Sequence, residues 1–399
     1  MKKVDVIFPA YINAPIGPTG TLRRLIQNSQ YLGERGYNLR VFTLDYLLNK
    51  PINDVSIPMP SRNRKRIGRM KDIIKGNRIL SELFLHFHVD KNASKLVDKY
   101  ISEHNDADII IFHESAACYH YLKRSGKLGK VKTAIFHHSD GTRWNMMLKS
   151  WPHIKGSIYY RVYDKRQDIV DKNVDMSIFI TKIGISNFKK ECPEAIDNKL
   201  FFLHNGIEDK PCTSQKKNIP PYRLITTGSV IERKGQRYIV EALTRLKKEE
   251  ISLFHLDILG TGADVGYIEY LVKKYELEEI VHLHGNVPNT EVHDYLSKAN
   301  IYILMSNNEG LPISIIEGMR AGLPIISTPV AGIPELVDNR NGILIQPSTD
   351  SLFTIFVGID KYEWETMGQN SRNRFEEEFT FNVMIQKYCN MLDKLQFKD

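Results

Sequence analysis

The sequence predicts an α/β protein of two doubly wound domains, and three observations carry that prediction. A chain of 399 residues exceeds one ordinary core, since single cores stop growing at roughly 250 to 300 residues. Short apolar runs alternate with segments of helical spacing along most of the chain, the pattern of a parallel sheet with crossover helices. One polar, proline-rich stretch, DKPCTSQKKNIPPY, divides the alternation into two series.

In chain order, VDVIFPAY reads as a strand, INAPIGPTG as a loop and TLRRLIQNSQYLGERG as a helix ended by Gly36. NLRVFTLD resumes an extended pattern, which completes a βαβ unit. ADIIIFHE, VKTAIFHHSD and VDMSIFI are further buried strands, and LFFLHNGIE precedes the linker. The second series runs YRLITTGSV, a helix over GQRYIVEALTRLKKE, FHLDILGTG, a helix over YIEYLVKKYELEE, IVHLHGNV, a helix over TEVHDYLSKA, and IYILMS. LPIIST and GILIQP add two strands, and FNVMIQKYCNMLDKLQF is a closing helix. The expected domains are Rossmann-like, 1–205 and 206–399, the second keeping the closing helix.

Composition narrows the function. A hydrophobic fraction of 42% with 26% charged residues is that of a packed globular protein, not a disordered or fibrous one. No apolar run approaches the roughly 18 to 20 residues that span a bilayer, and the start lacks a secretory signal pattern. Cys118, Cys192, Cys212 and Cys389 stand apart without CxxC spacing, which argues against a zinc site or disulfide framework and for a reducing compartment. The expected location is the cytoplasm. Charge is uneven: residues 1–205 hold 34 Lys and Arg against 20 Asp and Glu, the remainder 21 against 27. The basic half suits nucleic acid, anionic lipid or a phosphorylated substrate. Its densest run, 61–78, has eight basic residues and one acidic, with Ile67, Met70, Ile73 and Ile74 at helical spacing. That is the pattern of a solvated, partly helical loop with surplus charge, or of a basic helix lying on an anionic bilayer, here the inner face of the plasma membrane. No nucleic-acid-binding motif accompanies the run.

The segment SNNEGLPISIIEGMRAGLPIISTPVAGIP, 306–334, carries the chemistry. Glu309 falls in a loop after the strand IYILM, and Glu317 falls one to two turns into the next helix. Gly310, Leu311, Pro312 and Ile313 open that helix, whose free N–H groups and dipole seat a sugar-phosphate. A carboxylate offers two acceptors to a diol. Taken alone, such a pair also fits a helix cap and a solvated side chain.

In context, the segment resembles the family 4 (group 1) retaining glycosyltransferases, whose signature is EGxxxxxxEAxAxGxPVIxxxxGGxPE. Here it stands as Glu309-Gly310, Glu317-Gly318-Met319, Ala321-Gly322-Leu323-Pro324 and Ala331-Gly332-Ile333-Pro334-Glu335. The resemblance is dense from about Leu203 to Gln346 and looser before it. It implies a GT-B architecture, two Rossmann-like domains facing across a cleft, with the nucleotide on the C-terminal domain and the acceptor on the N-terminal one. In the family's GRxxxxKG block the chain reads GSVIERKG: Lys234 and Gly235 match, while Ser229 replaces the usual Arg. Either Arg233 takes over the lost charge, or Lys234 and backbone dipoles hold the diphosphate. Gly260 and Gly262 stand at the family's Gly-x-Gly, where backbone approaches the nucleotide, and Asn286 and Val287 close the segment that meets the base.

In the N-terminal half, IGPTGTLRRL resembles the family's first glycine-rich loop, with Gly17 and Gly20 for close approach to the transferred sugar. The strand end AIFHHSDG puts His137 or His138 at the donor sugar, His137 by alignment, with Asp140 beside them. His113 ends a parallel strand toward the acceptor. Asp106 and Asp108 spell DxD, but they precede their strand, away from the ligand edge, and no metal is called for where cations and a helix N-terminus hold the diphosphate. The expectation is sugar transfer with retention from a nucleoside-diphosphate sugar, a co-substrate and not a resident cofactor. The acceptor is a glycan or lipid-linked molecule in bacterial surface polysaccharide assembly. Lys234 stabilises the leaving group, Glu309 orients sugar hydroxyls and Glu317 holds the ribose. The alternatives are a GT-B epimerase, a phosphorylase, which needs a pyridoxal lysine and a longer chain, and a basic binding module without enzyme activity.

Overall fold

The structure is a computed structural model that describes residues 1–12, 17–49, 73–125, 131–144, 147–148, 151–210 and 220–396. It divides into two compact units, Met1–His204 with Ile385–Asp399, and Asn205–Met384. Each holds one six-stranded sheet, and the strands of both pair in parallel.

The first sheet is built from β1 (Lys2–Ile7), β2 (Tyr37–Phe42), β3 (Ile109–Phe112), β4 (Lys132–His137), β5 (Met176–Phe179) and β6 (Leu200–Phe202), in the order 2-1-3-4-5-6. Strands such as β3, IIIF, and β5, MSIF, are buried throughout because helices cover both faces of a parallel sheet. One buried polar group interrupts β1. Asp5 accepts two hydrogen bonds from Arg40, at 2.6 and 2.7 Å, and one from the Tyr100 hydroxyl at 2.6 Å. The carboxylate therefore ties β1 to β2 and to the helix Lys91–Glu103. Asp106 pairs with Lys3 and with Arg40, and Asp108 accepts the Lys3 amide at 2.7 Å, so the DxD pair staples strand starts.

The second sheet is built from β7 (Tyr222–Thr227), β8 (Phe254–Leu259), β9 (Val281–Gly285), β10 (Ile301–Leu304), β11 (Ile325–Ser327) and β12 (Gly342–Leu344), in the order 12-11-10-7-8-9. The chain steps outward from β7 to β9, returns to the other side of β7 as β10, and continues to β12. The switch point between β7 and β10 is where an open α/β sheet binds ligands, beyond the carboxyl ends of its strands. Ile239, Val240 and Leu243 from the helix Gln236–Leu243 pack with Leu352, Phe356 and Trp364 on this sheet.

Three readings from sequence change. The closing helix Phe381–Gln396 does not stay with the second domain: from Ile385 onward it belongs to the first unit. Its buried stripe, Tyr388, Met391, Leu392 and Leu395, needs a sheet to cover, and Asp393 and Gln396 accept bonds from Tyr37 and Lys2, both at 2.5 Å. The first glycine-rich segment is helical from Gly17, not from Thr21. The helix read over GQRYIVEALTRLKKE breaks into Gln236–Leu243 and Lys248–Ile251, because Glu250 turns back to accept the Lys247 amide at 2.9 Å. Of the basic run 61–78, positions 61–72 lie outside the described residues; 73–76 is one helical turn.

Candidate functional site

At the switch point of the second unit the loops leaving β7 and β10 lie side by side. Gly235 permits this. Its φ of +69° is left-handed, and a Cβ there would overlap the Met305 carbonyl just past β10. The Asn307 amide then donates to the Arg233 carbonyl at 3.0 Å. Three donors converge on one oxygen of Glu309: Lys234 Nζ at 2.6 Å, Ser306 Oγ at 2.7 Å and Arg233 Nη1 at 3.2 Å. Arg233 also donates to the Asn308 carbonyl at 2.6 Å. Glu309 and Lys234 are mostly withdrawn from water, whereas Arg233 is partly open.

Two cations against one carboxylate leave surplus positive charge, and Oε2 of Glu309 takes none of these bonds. The next helix, Ile313–Arg320, begins at Pro312 with no side-chain cap. Cationic surplus beside an uncapped helix N-terminus attracts phosphate oxygens, and a carboxylate oxygen open beside it accepts hydroxyls. From β11, the Thr328 hydroxyl donates to the Ser306 carbonyl at 2.5 Å, and the Gly332 amide donates to the Gly310 carbonyl at 3.0 Å. Leu311 is buried beneath the loop. Glu317 lies within the helix, half-buried. Burial is the main cause that pushes the Tyr302 phenol up, and the Glu317 charge adds to it. The structure thus joins Arg233, Lys234 and Glu309 directly and puts Glu317 on the helix they adjoin.

Ser229 is exposed, and its carbonyl accepts Gln236 Nε2 at 3.1 Å. Cβ atoms on Gly260 and Gly262 would overlap the carbonyls of Gly228 and Val230. These glycines therefore serve a close approach of the loop after β8 to the loop after β7, which the Val230 amide seals on the Thr261 carbonyl at 3.0 Å. Asn286 and Val287 follow β9, Asn286 exposed.

In the first unit three histidines gather at the ends of β3 and β4. His113 Nδ1 lies 2.8 Å from His138 Nε2, and His113 stacks on Phe136. His137 stacks on Phe179 with ring centroids 4.5 Å apart. Burial lowers all three: His113 to about 3, His137 to about 4 with help from the Arg143 charge, and His138 well below its ordinary value. They are neutral imidazoles at pH 7, and among the described residues His113 Nε2 and His137 Nε2 are buried without a protein partner. Asp140 is committed to its own turn, accepting the Thr142 hydroxyl at 2.6 Å and amide at 3.2 Å. Gly20 lies inside the first helix, where, among the described residues, a Cβ would meet only the tip of Arg24 at 3.6 Å.

Sequence reading passed over Ser306, whose hydroxyl fixes Glu309, and a polar cavity of about 400 Å³ between the second sheet and the helix Asn289–Lys298. His255 and Asp257 on β8 and His282 and His284 on β9 line it, and Asp257 holds His284 at 2.6 Å and His255 at 3.3 Å. Polar residues at period two in both strands were the available signal. Among the described residues no group of three His, Cys, Asp or Glu is placed to hold a metal ion, and no helix is long and apolar enough to cross a membrane.

Residues 209–355 match the family model described as Glycosyl transferases group 1. WcaL of Escherichia coli strain K12, named for colanic acid biosynthesis as a glycosyltransferase, is 29% identical over 221 residues, covering 52% of this chain and 53% of its own length. The amylovoran biosynthesis glycosyltransferase AmsK of Erwinia amylovora is 28% identical over 330 residues, 77% of each chain. Among solved structures, Anabaena HepE in complex with UDP superposes with a TM-score of 0.66 at 14% identity, over 98% of this chain and 100% of that one. Sucrose-phosphate synthase of Thermosynechococcus elongatus superposes with a TM-score of 0.72 at 16% identity, over 99% of both chains. At these identities the superpositions establish the fold.

Proposed function

We propose that this chain, whose residues 209–355 match the group 1 glycosyltransferase model and whose fold is GT-B, moves a sugar from a nucleoside-diphosphate sugar to a glycan or lipid-linked acceptor. The reading extends to family 4, to retention at the anomeric carbon and to cytoplasmic assembly of a surface polysaccharide. One observation carries it: the Lys234, Arg233 and Glu309 cluster at the switch point, with its cationic surplus and uncapped helix. UDP in the Anabaena structure and the polysaccharide names of the relatives agree with that chemistry.

The acceptor hydroxyl attacks the anomeric carbon on the face from which the diphosphate leaves. The carbon–oxygen bond to phosphate breaks, its electron pair stays on the diphosphate, and the hydroxyl proton passes to a departing phosphate oxygen. Lys234, Arg233 and the first amides of Ile313–Arg320 stabilise the growing charge. Glu309 receives sugar hydroxyls through Oε2, and Glu317 receives the ribose. On the first unit, the neutral His137 holds the donor sugar, and His113 and His138 serve the acceptor. The nucleotide sugar is a co-substrate.

A thermal-shift panel of UDP-, GDP- and ADP-sugars, followed by mass detection of product on glycan and lipid-linked acceptors, tests the proposal. One nucleoside series is expected to stabilise the protein and add one sugar mass to an acceptor; about 2.7 kcal/mol of stabilisation corresponds to a ligand at 100 times its Kd. Absence of stabilisation by every nucleoside diphosphate would sink the donor site.

A further inference from the structure

The first unit carries an exposed apolar ridge. The helix Arg78–Phe84 continues through a π turn, Leu85–Asp90, into Lys91–Glu103. Its inner side is occupied: Leu85 packs with Trp144 and Ile154, and Phe84 stacks on Trp151 at 5.3 Å. Its outer side repeats Ile79, Leu83 and Phe87, four residues apart and 69%, 48% and 50% exposed. Residues at that spacing share a helix face, and the wider π turn keeps Phe87 in line with Leu83. The helix Ile158–Asn173 adds Ile158 and Val162, 68% and 42% exposed. The two stripes adjoin, because Arg78 donates to the Gly156 carbonyl at 3.3 Å and the Tyr159 amide donates to Glu82 at 3.3 Å. A surface helix normally has one apolar stripe, and a second one facing water marks a binding surface.

The charges around the ridge identify what it meets. Nearby carboxylates are turned to internal partners: Glu82 to Arg78 and the Tyr159 amide, Asp164 to Trp144 Nε1 at 2.7 Å, Asp168 to Arg143 at 2.6 Å, and Asp90 to His120 and Arg166. Lys155, Arg161 and Lys165 are exposed, and Lys91 lies over the Phe87 ring at 5.3 Å. A cationic rim around an apolar ridge complements anionic headgroups over acyl chains.

We infer that this ridge docks the first unit on an anionic bilayer, with Ile79, Leu83, Phe87 and Ile158 entering the acyl boundary and the surrounding Lys and Arg meeting headgroups. The ridge residues follow the basic run 61–78 in sequence, and the inference rests on the proposed function only for its purpose, access to a lipid-linked acceptor.

The test is flotation of the full chain with phosphatidylglycerol-containing and pure phosphatidylcholine vesicles, with calorimetry of nucleoside-diphosphate binding in parallel. Binding is expected to the anionic vesicles, weakened by salt, and reduced at least tenfold in the triple variant Ile79→Ser, Leu83→Ser, Phe87→Ser, with melting temperature and diphosphate affinity unchanged. The emission that Phe87→Trp adds to that of the three native tryptophans is expected to be quenched by brominated lipid, and the emission that Val357→Trp adds, exposed on the second unit, is not. Anionic vesicles left unbound, or bound equally by the triple variant, overturn the inference. So does added emission of Phe87→Trp that is already blue-shifted without lipid, which means that another segment of the chain covers the ridge, or a dimer in light scattering that the triple variant abolishes, which means that a second copy does. Because diphosphate binding is measured separately, failure here is distinguishable from failure of the donor site.

Discussion

A single oxygen of Glu309 gathers Lys234, Ser306 and Arg233, and the three contacts differ in burial. Lys234 is the shielded cation, so its charge is screened least. Lys234→Ala is expected to lower kcat at saturating donor by at least about tenfold, or 1.4 kcal/mol, while Arg233→Ala, partly open and shared with the Asn308 carbonyl, costs less. Equal losses would make Arg233 the full substitute for the Arg that Ser229 replaces. Ala331 poses a separate test, since its φ of +47° is a conformation that costs an L-residue about 1 to 2 kcal/mol. Glycine relieves that strain but adds chain entropy of about 0.5 to 1 kcal/mol, so Ala331→Gly is expected to stabilise modestly. An unchanged or lower denaturation midpoint would contradict it. Glu309 and Lys234 were legible because the motif names them. Ser306 was not, since a serine three residues before a glutamate has many uses and only the fold shows its hydroxyl on that carboxylate.

Among elements, the twelve strands were legible and several helices were not. Parallel strands covered on both faces read as unbroken apolar runs, so IIIF and IYIL announce themselves. The helix Thr349–Val357 is also apolar along most of its length, which gives no periodicity to read, and Trp364–Arg374 is polar enough to pass for a loop. The π turns at Leu85–Asp90 and Phe375–Phe379 follow from packing and have no local signature. Glycines separate packing from ligand approach. Gly235→Ala combines a left-handed backbone with overlap on Met305, so it is expected to lower both the melting temperature and diphosphate affinity. Gly20→Ala meets no such obstacle and improves helix propensity by up to about 1 kcal/mol. Under the proposed function it is expected to leave stability equal or higher and to depress transfer. Full activity in that variant would remove Gly20 from the substrate site.

At the scale of the whole molecule, the two units differ in how they answer acid. The first holds His113, His137 and His138 neutral by burial, with His113 lowered to about 3 and His137 to about 4. In the unfolded chain each takes up a proton near pH 6.5. Between the folded and unfolded values the unfolded state binds more protons, so stability is full above about pH 6.5 and falls as pH drops toward 4. For His113, which is 5% exposed, the loss at pH 5 is about 2 kcal/mol. The tryptophans allow each unit to be followed separately, because Trp144 and Trp151 belong to the first and Trp364 to the second. In a Trp364→Phe protein, the denaturant midpoint read by fluorescence is expected to fall between pH 7.5 and pH 5. In a protein with Trp144→Phe and Trp151→Phe, where Trp364 reports, it is expected to change less. His113→Gln should flatten the pH dependence of the first unit even if it lowers stability throughout, since the slope counts protons and not packing. A slope that persists unchanged in that variant would take His113 out of the acid sensitivity.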